Sequence, residues 1–218
     1  MRLGTLLLDL LYPPKCTFCG ALLEQPQALM CPDCQRELPW MEGQRAERKV
    51  EFASLCVSPL WYKDQVRESI RRYKFSGCHW YSKTYGVLTA QCVRDHLEGK
   101  YDLISWVPVS KKRKRERGYD QAYLLARETA GNLNREVTPL LKKIQNNPAQ
   151  SGIEEAAARR ANVMNVYRML EDAPVQGKRI LLMDDVVTTG ETLSEAARML
   201  RQAGAQDVVC VTLARARQ

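Results

Sequence analysis

The 218-residue sequence has no apolar run long enough to cross a bilayer, no internal repeat and no low-complexity segment. These absences argue against a helical membrane protein, a repeat array and a disordered chain. A secretion signal is missing too. Arg2 is followed by Leu3, Leu6, Leu7, Leu8, Leu10 and Leu11, but the stretch is short, contains Asp9, lacks a small-residue cleavage site and runs into Pro13-Pro14. Leu3, Leu6, Leu7, Leu10 and Leu11 instead follow helical i, i+3, i+4 spacing, which predicts a short amphipathic helix docked on the protein. The expected location is therefore cytoplasmic. Histidine is scarce, with two residues. Cys78-His79 and Cys92-x3-His96 make a poor second metal site, since single thiols and histidines are more commonly buried hydrophobes and surface groups.

Cysteine is present in a pattern. Cys16-x2-Cys19 and Cys31-x2-Cys34 form two knuckles separated by eleven residues, a spacing that brings four thiolates around one Zn²⁺. Disulfides are the alternative, and the missing secretion signal disfavours them. A segment of about 40 residues cannot bury enough apolar surface to fold unaided, so metal binding would supply its folding free energy. The expected division is residues 1–44 as N-terminal helix and four-cysteine zinc ribbon, and residues 45–218 as the main domain. The charged residues 41–49 read as the linker between them.

Beyond that point strand and helix patterns alternate. Residues 54–62, 101–109, 137–141, 162–169 and 207–213 read as strands, and 64–74, 80–97, 120–133 and 153–161 as helices. Such alternation predicts an α/β fold with a mostly parallel sheet flanked by helices.

The most informative stretch runs from Arg179 to Leu193. Apolar residues 180–183 suit a buried strand; Asp184-Asp185-Val186-Val187-Thr188-Thr189-Gly190-Glu191-Thr192 follows; helical spacing then resumes through Leu193, Ala196, Ala197 and Leu200. A Thr/Gly loop at a helix N-terminus offers unpaired amides, the positive end of the helix dipole and hydroxyl donors to an anion such as a phosphomonoester. The adjacent carboxylates suit sugar hydroxyls or a divalent metal. Adjacent strand residues face opposite ways, so both can serve one ligand only if the backbone is leaving the sheet there. A phosphorylated ribose satisfies both halves of the motif.

A second candidate element is the loop following the strand at 103–109. Six of the seven residues from Lys111 to Arg117 are basic, Arg113, Lys114 and Arg117 among them. The run alone fits a pyrophosphate loop, a contact to nucleic-acid backbone, or a solvated charged loop. The formal net charge of +8 is consistent with DNA binding without demanding it. Trp106, Tyr119 and Tyr123 are nearby aromatics for stacking on bases.

The apolar-Asp184-Asp185-apolar-apolar-Thr188-Thr189-Gly190-x-Thr192 pattern resembles the signature of type I phosphoribosyltransferases, which bind 5-phosphoribosyl-1-pyrophosphate (PRPP). More of the chain resembles the competence protein F (ComF/GntX) family: Val107-Pro108-Val109, Arg113, Arg117-Gly118-Tyr119-Asp120-Gln121-Ala122, the early Leu-Tyr-Pro-Pro-x-Cys-x2-Cys, Tyr73-Lys74-Phe75-Ser76-Gly77, Gln150-Ser151-Gly152, Arg160-x-Asn162-Val163 and the closing Val211-Thr212-Leu213-Ala214-Arg215. That resemblance implies a zinc ribbon joined to a phosphoribosyltransferase-like domain. It assigns the ribose hydroxyls to Asp184 and Asp185 and the 5′-phosphate to the loop of Val186, Val187, Thr188, Thr189, Gly190, Glu191 and Thr192. Pyrophosphate falls to residues 107–118 with Arg113, Lys114 and Arg117, and residues 142–162 form a mobile hood over the reacting carbon. Where family members often carry Arg and Thr before the Gln-Ser element, this chain has Lys142, Lys143 and Asn146-Asn147-Pro148.

The implied activity is Mg²⁺-dependent pentosyl transfer from PRPP, linked to DNA uptake in natural transformation and to competence-machinery proteins, with oligomerisation left open. The alternative is a non-catalytic competence protein that keeps the PRPP fold and binds single-stranded DNA. Residues 193–218 leave no room for the C-terminal base-recognition segment of purine phosphoribosyltransferases, so the acceptor is not named.

Overall fold

A computed structural model describes residues 13–25, 27–144 and 166–217. The N-terminal leucine helix, the helix expected at 153–161, the Gln150-Ser151-Gly152 and Arg160-x-Asn162-Val163 matches and most of the hood lie outside the described residues. In chain order the strands are β1 (Glu47–Val50), β2 (Ala53–Val57), β3 (Leu60–Trp61), β4 (Leu103–Trp106), β5 (Leu141–Lys143), β6 (Tyr167–Met169), β7 (Arg179–Val187) and β8 (Asp207–Arg215). The helices are α1 (Pro32–Glu37), α2 (Asp64–Phe75), α3 (Tyr81–Leu97), α4 (Lys111–Arg117), α5 (Gln121–Asn132) and α6 (Glu191–Gln202).

The main sheet runs β1-β2-β8-β7-β4, with β3 also pairing β8. Every pair is parallel except β1–β2. The continuous apolar runs Ile180–Met183 and Val208–Val211 are what a doubly covered parallel sheet requires. The strand period of two sends Leu181 and Met183 to one face, against α2, α3 and α5, and Ile180 and Leu182 to the other, against α6 and the β5–β6 ribbon. On the first face α3 and α5 pack closely because residue 86 is glycine. A Cβ there would stand 2.5 Å from Glu128 Cβ and 2.8 Å from the Glu128 carbonyl carbon.

Four expectations need correction. Residues 41–49 are not a free linker: Gly43–Ala46 forms a 3-10 turn, and Glu47–Val50 adds an antiparallel edge strand to the main sheet. The strand expected at 137–141 is shifted. Val137 makes a single bridge to Ile104, and the strand proper is β5. Of the strand expected at 162–169, Tyr167–Met169 is strand, but it pairs antiparallel with β5 in a separate ribbon. The basic run 111–117 is the short helix α4. Ser110 caps it by accepting from the Arg113 amide at 3.3 Å, and Gly118 ends it at φ +81°.

The four-cysteine segment packs on α2 and α3. Phe18 is buried against Tyr85, with ring centroids 5.9 Å apart. Ser69 and Arg72 of α2 donate to the carbonyls of Thr17 and Phe18 at 2.6 Å each. Thr17 and Thr84 hydroxyls meet at 2.8 Å. No helix among the described residues is long and apolar enough to cross a membrane.

Candidate functional site

The cleft lies beyond the carboxyl end of β4 and beside the last residues of β7, at the end of the sheet where ligands of parallel α/β folds bind. It has a volume of about 250 Å³, and Asp184, Asp185, Val186, Thr188 and Thr192 line it together with Val107, Arg113 and Arg117. Its position follows from unequal strand lengths. β4 pairs with β7 only as far as Trp106↔Met183, whereas β7 stays paired with β8 through Asp184↔Thr212 to Val187↔Arg215.

The carboxylates therefore stand inside a continuing strand, not at its exit, and the expectation that the backbone leaves the sheet at this point is corrected. They belong to opposite faces, Asp185 toward α2 and Asp184 toward the β5–β6 ribbon. Both reach one cleft because β4 has stopped and the flank of β7 is bare. The Asp185 amide, which has lost its neighbouring strand, donates to Asp184 Oδ1 at 2.8 Å.

Asp185 is 4 % exposed, and its Oδ1 lies 2.8 Å from Lys74 Nζ at the end of α2. Its Oδ2 has no hydrogen-bond partner. The same holds for Arg117 Nη1 and Gln121 Oε1, whose residues also line the cleft. Buried polar groups are ordinarily satisfied, so three unpartnered atoms in the residues of one cleft point to a polar ligand there. Burial, then the charge of Asp185, pushes Asp184 up from 3.8 to about 7. Burial lowers Arg117 and Lys143.

The Thr/Gly loop has the expected architecture. Gly190, at φ +93°, is the residue before α6, a conformation that L side chains rarely adopt. Its side-chain cap is missing, so the first-turn amides of α6 are left for an anion. Behind the loop, Arg48 of β1 donates to the carbonyls of Thr188 and Thr189 at 2.6 and 3.0 Å. Two of the loop's carbonyls are thereby occupied, and a cation stands beside it.

Helix α4 divides the basic run. Arg113 and Arg117, one turn apart, share a face and line the cleft, while Lys111, Lys112, Lys114 and Arg115 are exposed. Lys114 is thus placed outside the cleft. Val187, Thr189, Gly190 and Glu191 of the expected loop also lie off its wall. Sequence reasoning gave no role to Lys74, Arg48, Tyr167 or Gln121. The signal for Lys74 was its place beside the buried stripe Val66, Ile70 and Tyr73, whereas Arg48 sat in an expected linker and gave none. Tyr167 and Lys143 enter from the β5–β6 ribbon, with Lys143 Nζ 5.3 Å from the Tyr167 ring centre.

At the other site, one ligand atom from each of Cys16, Cys19, Cys31 and Cys34 lies within 4.8 Å of the others. Four converging thiols fit a structural zinc site. Among the described residues no other group of three or more His, Cys, Asp or Glu is so placed.

Two family models match: a phosphoribosyl transferase domain over residues 120–218 and a double zinc ribbon domain over residues 7–48. Competence protein F of Haemophilus influenzae is 28 % identical over 227 residues, spanning 93 % of this chain and 97 % of that one. The DNA utilization protein YhgH of Salmonella typhimurium is 33 % identical over 206 residues, spanning 91 % and 84 %. The chain belongs to the ComF family. Its architecture is the family's zinc ribbon followed by a phosphoribosyltransferase domain. Among solved structures, adenine phosphoribosyltransferase from Thermoanaerobacter pseudethanolicus shares 18 % identity over 62 % of this chain and 81 % of that one, with a TM-score of 0.39.

Proposed function

We propose that this ComF-family protein binds PRPP with Mg²⁺ and transfers its phosphoribosyl group, in the cytoplasm and in the service of DNA uptake. The observation carrying this reading is the bare flank of β7, which sets both aspartates in one cleft between the Thr/Gly loop and the guanidinium groups of Arg113 and Arg117. In this reading residues 1–44 and 45–218 are ribbon and catalytic domain.

The hydroxyls of Thr188 and Thr192 and the first-turn amides of α6 take the 5′-phosphate, and Asp185 accepts from a ribose hydroxyl. Arg113 and Arg117 hold the pyrophosphate, where negative charge accumulates as the bond to the anomeric carbon breaks. The acceptor forms a bond to that carbon, pyrophosphate departs with the electron pair of the broken bond, and the acceptor's proton passes to Asp184. With a pKa of about 7, Asp184 is suited to receive it. The cleft contributes two carboxylates, hard oxygen donors that fit Mg²⁺ only when the pyrophosphate supplies further oxygens. Bound there, the ion would offset the charge of the leaving group.

Calorimetric titration of the full chain with PRPP and Mg²⁺ tests the reading. Binding is expected, with loss of at least about tenfold in affinity for Asp184→Asn plus Asp185→Asn. No heat from the wild type, or equal affinity in the variant, rejects it. A pyrophosphate-release assay across nucleobases, amines and single-stranded DNA would then identify the acceptor.

A second reading, single-stranded DNA as a partner, is favoured by a separate surface. Trp106 and Tyr123 pack against each other with tilted rings 4.9 Å apart, and Tyr119 packs on Tyr73, so these aromatics are already engaged. Phe75 and Trp80, by contrast, are 70 % and 55 % exposed. Arg117 lies over the Phe75 ring at 5.0 Å, joining this surface to α4 and its four outward cations. Affinity for an oligothymidine should fall steeply with salt. Lys111, Lys114 and Arg115 changed together to Ala should reduce that slope by about 0.7 for each phosphate that is no longer neutralised. An unchanged slope removes this surface as the binding face.

A further inference from the structure

Strand β1 joins the main sheet at its edge, antiparallel to β2. Glu47 and Lys49 are exposed, so its inward positions are Arg48 and Val50. Val50 belongs to the same buried cluster as Val187 and Leu193, the apolar residues on either side of the Thr/Gly loop, and a Cβ on Gly190 would meet its Cγ2 at 3.6 Å. The edge strand therefore runs up to the loop. Arg48, two residues earlier, grips the loop itself: Nη1 donates to the Thr188 carbonyl at 2.6 Å and Nη2 to the Thr189 carbonyl at 3.0 Å. The planar fork of a guanidinium can serve two successive carbonyls, which the point charge of an ammonium does less well.

β1 is fixed in turn from the end of β8. Arg215 donates to the carbonyls of Glu47 and Arg45 at 2.7 and 2.8 Å, and its guanidinium lies 4.6 Å from the Trp61 ring centre. The Ala216 amide donates to the Val187 carbonyl at 2.9 Å, tying the residue before the loop to the same strand. Edge strand and loop thus share one anchor. A peptide unit is planar, so holding its carbonyl holds the whole unit, N–H included. The two units that Arg48 grips lie between Thr188 and Thr192, the loop residues that line the cleft.

We infer that Arg48 is a positioning residue for the phosphomonoester end of the ligand: by gripping two successive carbonyls from the edge strand, it sets the spacing between the Thr188 hydroxyl and the first turn of α6 before the ligand arrives. The identity of that ligand rests on the PRPP reading above; the fixing of the loop does not. Donors held in place beforehand need no ordering on binding, so loss of the grip is felt as lost affinity at this end. The other end of the cleft is carried by Arg113 and Arg117 on a different element, α4. Both hydrogen bonds of Arg48 lie at the surface, so their loss should leave the overall fold in place.

Two measurements on the full-length, zinc-loaded protein and its Arg48→Met variant provide the test. In the first, amide hydrogen exchange is followed without ligand: the Thr189 and Gly190 amides should exchange at least about tenfold faster in Arg48→Met, with the core of β7 and β8 unchanged. Unchanged exchange at those two amides overturns the inference. In the second, the two ends of the ligand are titrated separately by calorimetry, ribose 5-phosphate for the loop and inorganic pyrophosphate with Mg²⁺ for α4. Arg48→Met should bind ribose 5-phosphate about tenfold more weakly and pyrophosphate within about twofold of wild type. Equal loss at both ends, or none at either, overturns it. A wild type that binds neither probe rejects the PRPP reading, while amide exchange still decides whether Arg48 fixes the loop. Should Arg48→Met fail to fold, Arg48→Gln replaces it in both measurements.

Discussion

A carboxyl that prefers its neutral form in the folded protein leaves a signature in stability. Asp184 titrates near 7 in the native state against 3.8 as a free side chain, so the folded chain binds the extra proton. Stability from this group is therefore greatest at low pH, declines as pH rises from about 4 to about 7, and levels off above that. Asp184→Asn keeps an oxygen for the Asp185 amide and removes the titration. Relative to wild type, the variant should gain stability between about pH 5 and about pH 8, read from urea midpoints at the two values. A constant difference would mean that Asp184 is not held neutral. The same residue scale separates what could be read from the sequence from what could not. Gly190 and Thr192 announce their chemistry by type and spacing. Arg48 does not, because nothing local says that a charged residue before Val50 ends beneath a loop 140 positions later.

Elements place these side chains more than they supply them. The Asp pair was legible as a motif, but what brings both carboxylates to one cleft was hidden, since strand ends depend on partners that no local pattern encodes. β7 continues, and β4 is the strand that stops. Helix α4 could have been recognised from Ser110 and Gly118, a cap and a stop at the right separation, yet six cations without an apolar stripe read as loop. Once it is a helix, the choice between pyrophosphate and nucleic acid becomes a choice of faces. The α3–α5 pair gives a sharper test at this scale. Gly86→Ala forces a methyl group into the Glu128 backbone, where no side-chain rotation relieves the clash. A loss of about 1–3 kcal/mol in chemical denaturation is expected, with the cysteine cluster intact. A change within about 0.5 kcal/mol would show that the two helices are free to part.

At the scale of the molecule, alternation of strand and helix revealed the mostly parallel sheet, and the knuckle spacing revealed the cysteine cluster. The antiparallel edge strand β1 escaped, and of the β5–β6 ribbon the strand at 167–169 was expected but its pairing outside the main sheet was not; both are short and charged, with their stability coming from what they pack against. The segment from Cys16 to Cys34 was expected to stand on its metal, and its seat on α2 extends the consequence. Stripping the metal with a chelator should lower the melting temperature by about 5–10 °C, and an unchanged melting curve would show that the thiols contribute nothing to the fold. Because α2 has the thiol cluster along its flank and Lys74 at its tip, whatever loosens the first slackens the second. Under the PRPP reading, metal and sugar phosphate would each tighten the other's hold by the same factor, making a protein starved of zinc a poor ligand trap well before it comes apart.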